Sequence, residues 1–84
     1  MPYKIIFLTS AERDFGSLPK ELQRRMLSKL ESISKNPFPY VKRLAGSPLF
    51  SLRVGDYRIL MNIEKGTMTI LVVKIGHRRN VYEK

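Results

Sequence analysis

The spacing of apolar residues changes along this 84-residue chain, from helical in the first half to strand-like in the second. A short apolar strand at residues 3–8 comes first. Thr9 and Glu12 then have the spacing of a capping box, in which two free backbone amides at a helix start are satisfied reciprocally. Gly16 and Pro19 break this first helix after about two turns.

A longer amphipathic helix follows, with Pro19 in its first turn, where the missing N–H costs little. Charged side chains cover most of its surface, and Asn36-Pro37 ends it. Residues 37–48 hold three of the five prolines and are expected to form an ordered coil. The apolar stripe predicted to face the core comprises Leu22, Met26, Leu27, Leu30 and Ile33.

From residue 49 onward the apolar period changes to two, which is typical of β-strands. Gly55-Asp56 between two such runs is a two-residue hairpin signal. A second turn is predicted at residues 64–67. The last strand, residues 68–75, is apolar on both faces, which suits a central strand covered by helices on one side. Helices followed by strands predict an α+β fold.

The Gly55-Asp56 turn fixes which residues pair across the hairpin, because loop length sets the register. Arg53 then lies directly opposite Arg58, where the two guanidinium groups repel each other unless an anion lies between them. A carboxylate of this chain, Asp56 or Glu83, is one candidate anion. A bound phosphate, which the guanidinium fork matches bidentately, is the other. The face predicted to stay open carries Ser51, Arg53, Arg58, Leu60 and Asn62, while the opposite face is an apolar row packed on the helices.

The charge balance extends this expectation to the whole surface. Sixteen Lys and Arg against seven Asp and Glu give a formal charge of +9, more than solubility requires. Nucleic acid is the first candidate partner; an acidic protein, an anionic membrane surface and a merely well-solvated basic surface are the alternatives. The absence of cysteine excludes disulfides and thiolate metal sites. With no apolar run typical of a signal sequence or a membrane span, residues 1–84 are predicted to form a single cytoplasmic domain.

Residues 76–82 (GHRRNVY) follow the last strand and add charged and aromatic groups at its end. Imidazole ordinarily exchanges protons near neutral pH, so His77 is a candidate base or acid. Tyr82 is better suited to stacking on a base or orienting a hydroxyl. Either residue could instead be purely structural. The register leaves open whether Arg78 or Arg79 faces Arg58.

Residues 52–60 (LRVGDYRIL) and 75–82 (IGHRRNVY) resemble the C-terminal half of toxins of the RelE/ParE superfamily. The helical first half and residues 42–46 (KRLAG) fit the same pattern, so the resemblance covers essentially the whole chain. It implies a fold of two helices packed on an antiparallel sheet of about four strands. RelE-type members are ribosome-dependent mRNA endonucleases paired with an antitoxin, whereas ParE-type members poison DNA gyrase.

The resemblance also implies a set of catalytic residues. Arg53 and Arg58 match basic residues on the second and third strands of RelE-like nucleases. Arg78 matches the arginine after the last strand, and Tyr82 matches the C-terminal tyrosine. His77 is similar in placement to residues around the catalytic histidine of YoeB- and HigB-like relatives.

The RNA-binding candidates flank this set. Ser51 departs from the pattern, because RelE has a lysine there. The reaction implied is attack of a ribose 2′-hydroxyl on the adjacent phosphate, which needs neither a metal nor another cofactor. The substrate would be mRNA in the ribosomal A site, and the partner would be a RelB-like antitoxin. The RNA-binding candidates are Lys42, Arg43, Ser51, Lys74 and Arg79.

Two other functions remain open at this point: a ParE-like inhibitor that binds gyrase without cleaving RNA, and a non-catalytic RNA-binding module. A gyrase-binding protein has no chemical reason to combine several arginines with a C-terminal tyrosine. The combination that favours the nuclease consists of Arg53, Arg58, Arg78 and Tyr82. The predicted function is therefore that of a type II toxin with ribosome-dependent mRNA endonuclease activity.

Overall fold

Two helices pack on a five-stranded sheet in the computed structural model, which describes residues 2–77 and 79. No helix in this described part of the chain is long and apolar enough to cross a membrane. The elements in chain order are β1 (Lys4–Phe7), α1 (Thr9–Gly16), α2 (Lys20–Ile33), a 3-10 turn (Phe38–Tyr40), β2 (Lys42–Arg43), β3 (Phe50–Val54), β4 (Tyr57–Glu64) and β5 (Thr69–His77).

The strands lie in the order β1-β5-β4-β3-β2 across the sheet. β5 runs between two neighbours, as predicted, but it is antiparallel to β4 and parallel to β1. The α+β fold is confirmed, while the sheet is mixed rather than wholly antiparallel. Its fifth strand, β2, forms inside the predicted coil, because Lys42 and Arg43 pair with Ser51 and Phe50 before the chain turns at Gly46.

Both helices begin close to their predicted positions, although with different capping residues. α1 starts at Thr9, so Leu8 occupies the N-cap with an extended backbone, and no side chain caps the helix. The predicted capping box between Thr9 and Glu12 is therefore wrong, since Thr9 already lies inside the first turn. Pro19 is the N-cap of α2 rather than a residue of its first turn.

The core lies between the helices and the sheet. α2 contributes Met26 and Leu30, which are both 0% exposed, and Ile33, as its helical spacing predicted. The prediction that Leu27 widens this stripe is wrong, because its side chain is 46% exposed. One step along a helix turns about 100°, which carries Leu27 past the covered side. The sheet contributes Leu52, Val54, Ile59, Met61, Ile63, Ile70, Val72 and Ile75.

α1 holds the C-terminal part of β5 in place through two side chains. β5 has a bulge at Val73, where its pairing with β4 shifts, and its pairing with β1 has already ended. The Ser10 hydroxyl donates to the Val73 carbonyl at 3.1 Å. The Asp14 carboxylate accepts a hydrogen bond from the Ile75 N–H at 3.2 Å. These bonds satisfy backbone groups that no strand reaches, and they fix the end of β5 that lies beside the β3–β4 turn.

Candidate nucleic-acid interface

The β3–β4 hairpin has the predicted register, with Arg53 directly opposite Arg58. Gly55 permits the tight turn because its φ of 60° is in the left-handed region, which residues with a side chain rarely adopt. Arg53 is exposed and Arg58 is half-buried. Arg53 Nε donates to the Gly55 carbonyl and Arg58 Nη1 donates to the Tyr57 carbonyl, each at 3.4 Å. The hairpin therefore carries two arginines at directly paired positions on one face.

The chain's own carboxylates were the alternative partner for this arginine pair. Asp56 is exposed in the turn, and the one salt bridge among residues 2–77 and 79 joins Arg24 to Glu21 on α2. Asp56 is therefore not a counter-ion of the hairpin arginines. Glu83 lies outside the described residues.

A cleft of about 560 Å³, the basic cleft, opens where β2 and the segment before it meet the hairpin. Within the described residues its lining holds four basic side chains and no carboxylate. Such a concentration of one charge attracts polyanions. The structure thus brings together five of the predicted site residues: Lys42, Arg43, Ser51, Arg53 and Arg58.

The two basic residues of β2 point to opposite sides of the sheet, because successive strand residues alternate. Lys42 pairs with Ser51 and so shares a face with the hairpin arginines. Arg43 pairs with Phe50, and its guanidinium carbon lies 5.0 Å from the centroid of the Phe50 ring. Arg43 thus lines the basic cleft, but this cation–π contact holds its guanidinium group at Phe50 rather than with the arginine pair.

The face that carries the arginines is less open than strand alternation predicted. Ser51 is 7% exposed and Leu60 is 6% exposed, so part of this face is covered. Lys74 pairs with Leu60 and is exposed on the same side. Ser51 therefore forms the floor of the basic cleft beneath longer basic side chains.

Tyr40 lines the basic cleft and was not identified from the sequence. Its side chain is 60% exposed, at the end of the 3-10 turn. An exposed aromatic ring beside cationic side chains is a platform on which a nucleic-acid base can stack. The available signal was an aromatic residue two positions before Lys42, within a segment that the proline pattern marked only as coil.

His77 lies on the other face of the sheet. It pairs with Tyr57, and the two rings meet edge to face with their centroids 5.5 Å apart. Tyr57 packs against the core, so both rings belong to the side that the helices cover. The His77 Nδ1 atom accepts a long hydrogen bond from the Arg79 N–H at 3.4 Å. The structure therefore does not bring His77 together with the hairpin arginines.

Gly76 is the residue of β5 that pairs with Arg58. The sequence had left open whether Arg78 or Arg79 faces Arg58, and neither of them is its strand partner. Arg79 is exposed beyond the end of β5. Arg78 and Tyr82 lie outside the described residues.

Comparison with known proteins gives four consistent similarities. Residues 5–82 match the family described as the ParE toxin of type II toxin-antitoxin system, parDE. The chain is 32% identical to toxin RelG of Mycobacterium tuberculosis over an 89-residue alignment that covers all of both chains. It resembles the toxin–antitoxin complex RelBE2 from M. tuberculosis, with a TM-score of 0.79 and 29% identity over 93% of this chain and 100% of that one. It also resembles the archaeal RelE–RelB complex from Pyrococcus horikoshii, with a TM-score of 0.81 and 26% identity over 95% of this chain and 99% of that one.

Proposed function

The chain belongs to the ParE family of toxins from type II toxin–antitoxin systems, and from this premise we propose that it is an endoribonuclease that cleaves mRNA in the A site of cytoplasmic ribosomes. The supporting observation is the basic cleft, where Arg53 and Arg58 stand opposite each other beside Lys42. Paired guanidinium groups match phosphate oxygens bidentately. A phosphodiester is therefore the group that fits this cleft best.

The proposed reaction is attack of a ribose 2′-oxygen on the adjacent phosphorus. The new 2′-O–P bond forms as the P–O5′ bond breaks, which leaves a 2′,3′-cyclic phosphate and a 5′-hydroxyl end. Negative charge accumulates on the non-bridging oxygens in the transition state, where Arg53 and Arg58 stabilise it. Arginine stays protonated at any working pH, so these residues hold charge rather than transfer protons.

Lys42 is the side chain of the basic cleft that can deliver a proton. It shares a face with the hairpin arginines, and it lies across from Ser51, which is 7% exposed. The Lys42 ammonium group donates a proton to the departing 5′-oxygen, while the proton of the 2′-hydroxyl passes to water. His77 takes no part, because it lies across the sheet. Since the described part of the cleft offers no strong base, the ribosome has to orient the substrate for attack.

In this proposal the contact with a nucleic-acid base is made at the rim of the basic cleft. Tyr40 exposes its ring there, next to the basic side chains of the cleft. The ring stacks on a base beside the scissile phosphate, and such contacts contribute about 1 to 3 kcal/mol per base. Stacking would hold the nucleotide in position without selecting a particular base.

The proposal includes a protein partner that restrains the toxin. The two similar structures are complexes, one named RelBE2 and the other RelE–RelB. This chain would accordingly bind a RelB-like antitoxin. Its formal charge of +9 favours acidic residues in that partner and an affinity that falls with salt. Titration at two ionic strengths tests this, and a salt-independent affinity would mean that apolar burial alone secures the complex.

Toeprinting on ribosomes programmed with a defined mRNA tests the nuclease directly. We expect the parent protein to cut within the A-site codon and to leave the same mRNA intact when ribosomes are absent. Arg58→Ala should abolish the signal. Lys20→Ala, which removes an exposed charge at the start of α2, should cut normally. A folded parent protein that cuts in no codon context would overturn the proposal.

Inhibition of DNA gyrase is the second candidate function, and the observation that favours it is the match to a family named for ParE. A supercoiling assay with purified gyrase separates the two candidates. We expect supercoiling to be unaffected, because the paired arginines and Lys42 suit a phosphodiester. Inhibited supercoiling without mRNA cleavage would assign the chain to the gyrase-directed branch.

A further inference from the structure

Arg53 lies between the basic cleft and a second basic depression, which we call the α2 groove. The α2 groove occupies about 610 Å³ between the solvent side of α2 and the end of β3. Arg53 lines both depressions, so the two are continuous at this residue. The polar side chains that line the α2 groove beside Arg53 are Arg24, Arg25, Ser28, Lys29 and Ser32, together with Glu21.

Helical spacing and the β3–β4 turn together build the α2 groove. Arg25, Lys29 and Ser32 follow one another at intervals of four and three residues, so they share one side of α2. Arg25 reaches the turn: a Cβ atom added to Gly55 would lie 3.6 Å from the nearest Arg25 nitrogen. Arg53 approaches the same turn from β3, where its Nε donates to the Gly55 carbonyl. Charges from a helix and from a strand thus converge on one glycine.

The α2 groove carries an excess of positive charge. Its four cations, Arg24, Arg25, Lys29 and Arg53, face a single carboxylate, that of Glu21, which leaves a net charge of 4 − 1 = +3 on the lining. Glu21 pairs with Arg24 at 2.7 Å, but the two side chains are 76% and 72% exposed. So exposed a pair is held weakly and can exchange for another anion. No salt bridge among residues 2–77 and 79 involves the other three cations.

The α2 groove suits a polyanion better than a protein segment. Its one apolar lining residue within the described part of the chain is Val54, which is only 5% exposed. Protein partners gain most of their affinity by burying aromatic or aliphatic anchors, and the α2 groove offers no such pocket. Guanidinium forks and serine hydroxyls are instead the donors that proteins direct at phosphates.

We propose that the α2 groove is a second RNA-binding site, which holds the phosphodiester backbone of RNA while the basic cleft holds the scissile phosphate. The identity of the ligand as RNA rests on the proposed function. The backbone can come from the same strand, continued past Arg53, or from a neighbouring RNA helix. In both cases Arg25 and Lys29 contact phosphates and read no base.

The test is a comparison of binding with probes that differ in length. Fluorescently labelled 2′-O-methyl RNA of about 12 nucleotides spans both sites, while a probe of about 4 nucleotides fills only the basic cleft. The 2′-O-methyl group blocks cleavage, so binding is measured without chemistry. The groove variant is Arg25→Gln with Lys29→Gln. The matched control is Lys20→Gln with Lys35→Gln, which removes two exposed charges outside the α2 groove.

We expect the groove variant to weaken binding of the long probe and to leave the short probe unchanged. The logarithm of the binding constant falls linearly with the logarithm of the salt concentration, and loss of two phosphate contacts makes this slope shallower by about 1.4 for a single strand. Raising the salt from about 50 to about 200 mM should therefore weaken the parent roughly 7-fold more than the groove variant. The control should keep the parental slope. A duplex RNA probe that responds to the groove variant more strongly than the single strand would identify a neighbouring helix as the source.

Two results would overturn the proposal. Equal losses in the groove and control variants would show that net charge alone matters. An unchanged RNA affinity with a weakened antitoxin complex would assign the α2 groove to a protein. Thermal unfolding of all variants confirms that each is folded. Failure of the nuclease itself would appear separately, as absent toeprint cleavage with length-dependent RNA binding intact.

Discussion

The two faces of the sheet use the same hairpin in opposite ways. On the helix side, Ile59 is 0% exposed, and Tyr57 packs against the core and the His77 ring. On the other side, Arg53 and Arg58 face each other, and each is adjacent in its strand to a residue of the helix side. Burial on the first face stabilises the fold, whereas like charges directly across a strand pair destabilise it. One face thus holds the hairpin together, and the other carries two like charges between which an anion can bind.

The largest effect is expected from Ile59 on the helix side. Ile59→Ala leaves a cavity in the core and should lower the free energy of unfolding by about 2 to 5 kcal/mol. That is a large share of the stability of a small domain. Chemical denaturation measures the loss, and Glu64→Ala at the exposed end of the same strand should change it by less than about 1 kcal/mol. Similar losses from both substitutions would break the contrast between the faces.

Arg58 on the opposite face should give the inverse result. Arg58→Ala removes one of two like charges that face each other across the strand pair. Such a pair costs roughly 0.2 to 1 kcal/mol, so the free energy of unfolding should stay level or rise by about 0.3 kcal/mol. Cleavage on the ribosome should fall about 100- to 1,000-fold, because one donor to the transition-state phosphate is lost. Arg58→Lys should restore little if bidentate geometry matters. An alanine variant that melts much earlier would make Arg58 a structural residue, and one that remains fully active would remove it from the site.

Two substitutions of Lys42, on the same face, distinguish a role for its charge from a role in proton transfer. Lys42→Gln should lower kcat about 100-fold, at the lower end of what general acid catalysis contributes. Lys42→Arg keeps the positive charge but cannot readily release a proton, so it should restore KM and not kcat. Lys20→Gln, which removes an exposed charge outside the basic cleft, is the control and should leave both parameters near the parental values. Full recovery of kcat in the arginine variant would show that Lys42 acts only through its charge.

The parts of this contrast that could be predicted from the sequence are those fixed by short-range rules. Loop length determined the pairing of Arg53 with Arg58, and helical spacing identified Met26 and Leu30 as core residues. The resemblance of the hairpin and of the C-terminal residues to known toxins pointed to the family that the comparisons show. The first two inferences depended only on residues close together in the chain, and the third on short stretches of sequence compared with a known family.

The remaining features depend on contacts between distant residues. The parallel pairing of β1 with β5, and the bonds from Ser10 and Asp14 to the unpaired edge of β5, join residues about 60 positions apart. The face that His77 occupies depends on the bulge at Val73, because one extra residue moves every following side chain to the other side. Tyr40 became a candidate only when folding brought its turn beside the hairpin. Sequence periodicity contains none of this information.

The smallest effect on cleavage is expected from substitution of His77. Its imidazole had made it a candidate base or acid in the sequence. His77→Ala should leave cleavage within about 3-fold of the parent, whereas loss of a true acid or base typically costs 100-fold or more. It should lower the free energy of unfolding by about 0.5 to 1.5 kcal/mol, because its ring packs edge to face on Tyr57.

His77→Phe sharpens this last test, because phenylalanine keeps a ring beside Tyr57 but cannot carry a proton. We expect it to recover most of the stability that the alanine variant loses, with the pH dependence of cleavage unchanged in both variants. Cleavage that collapses in both variants while their unfolding stays parental would return His77 to the catalytic set. The reaction would then require the histidine to reach around the end of β5, which its pairing with Tyr57 on the helix-covered face argues against.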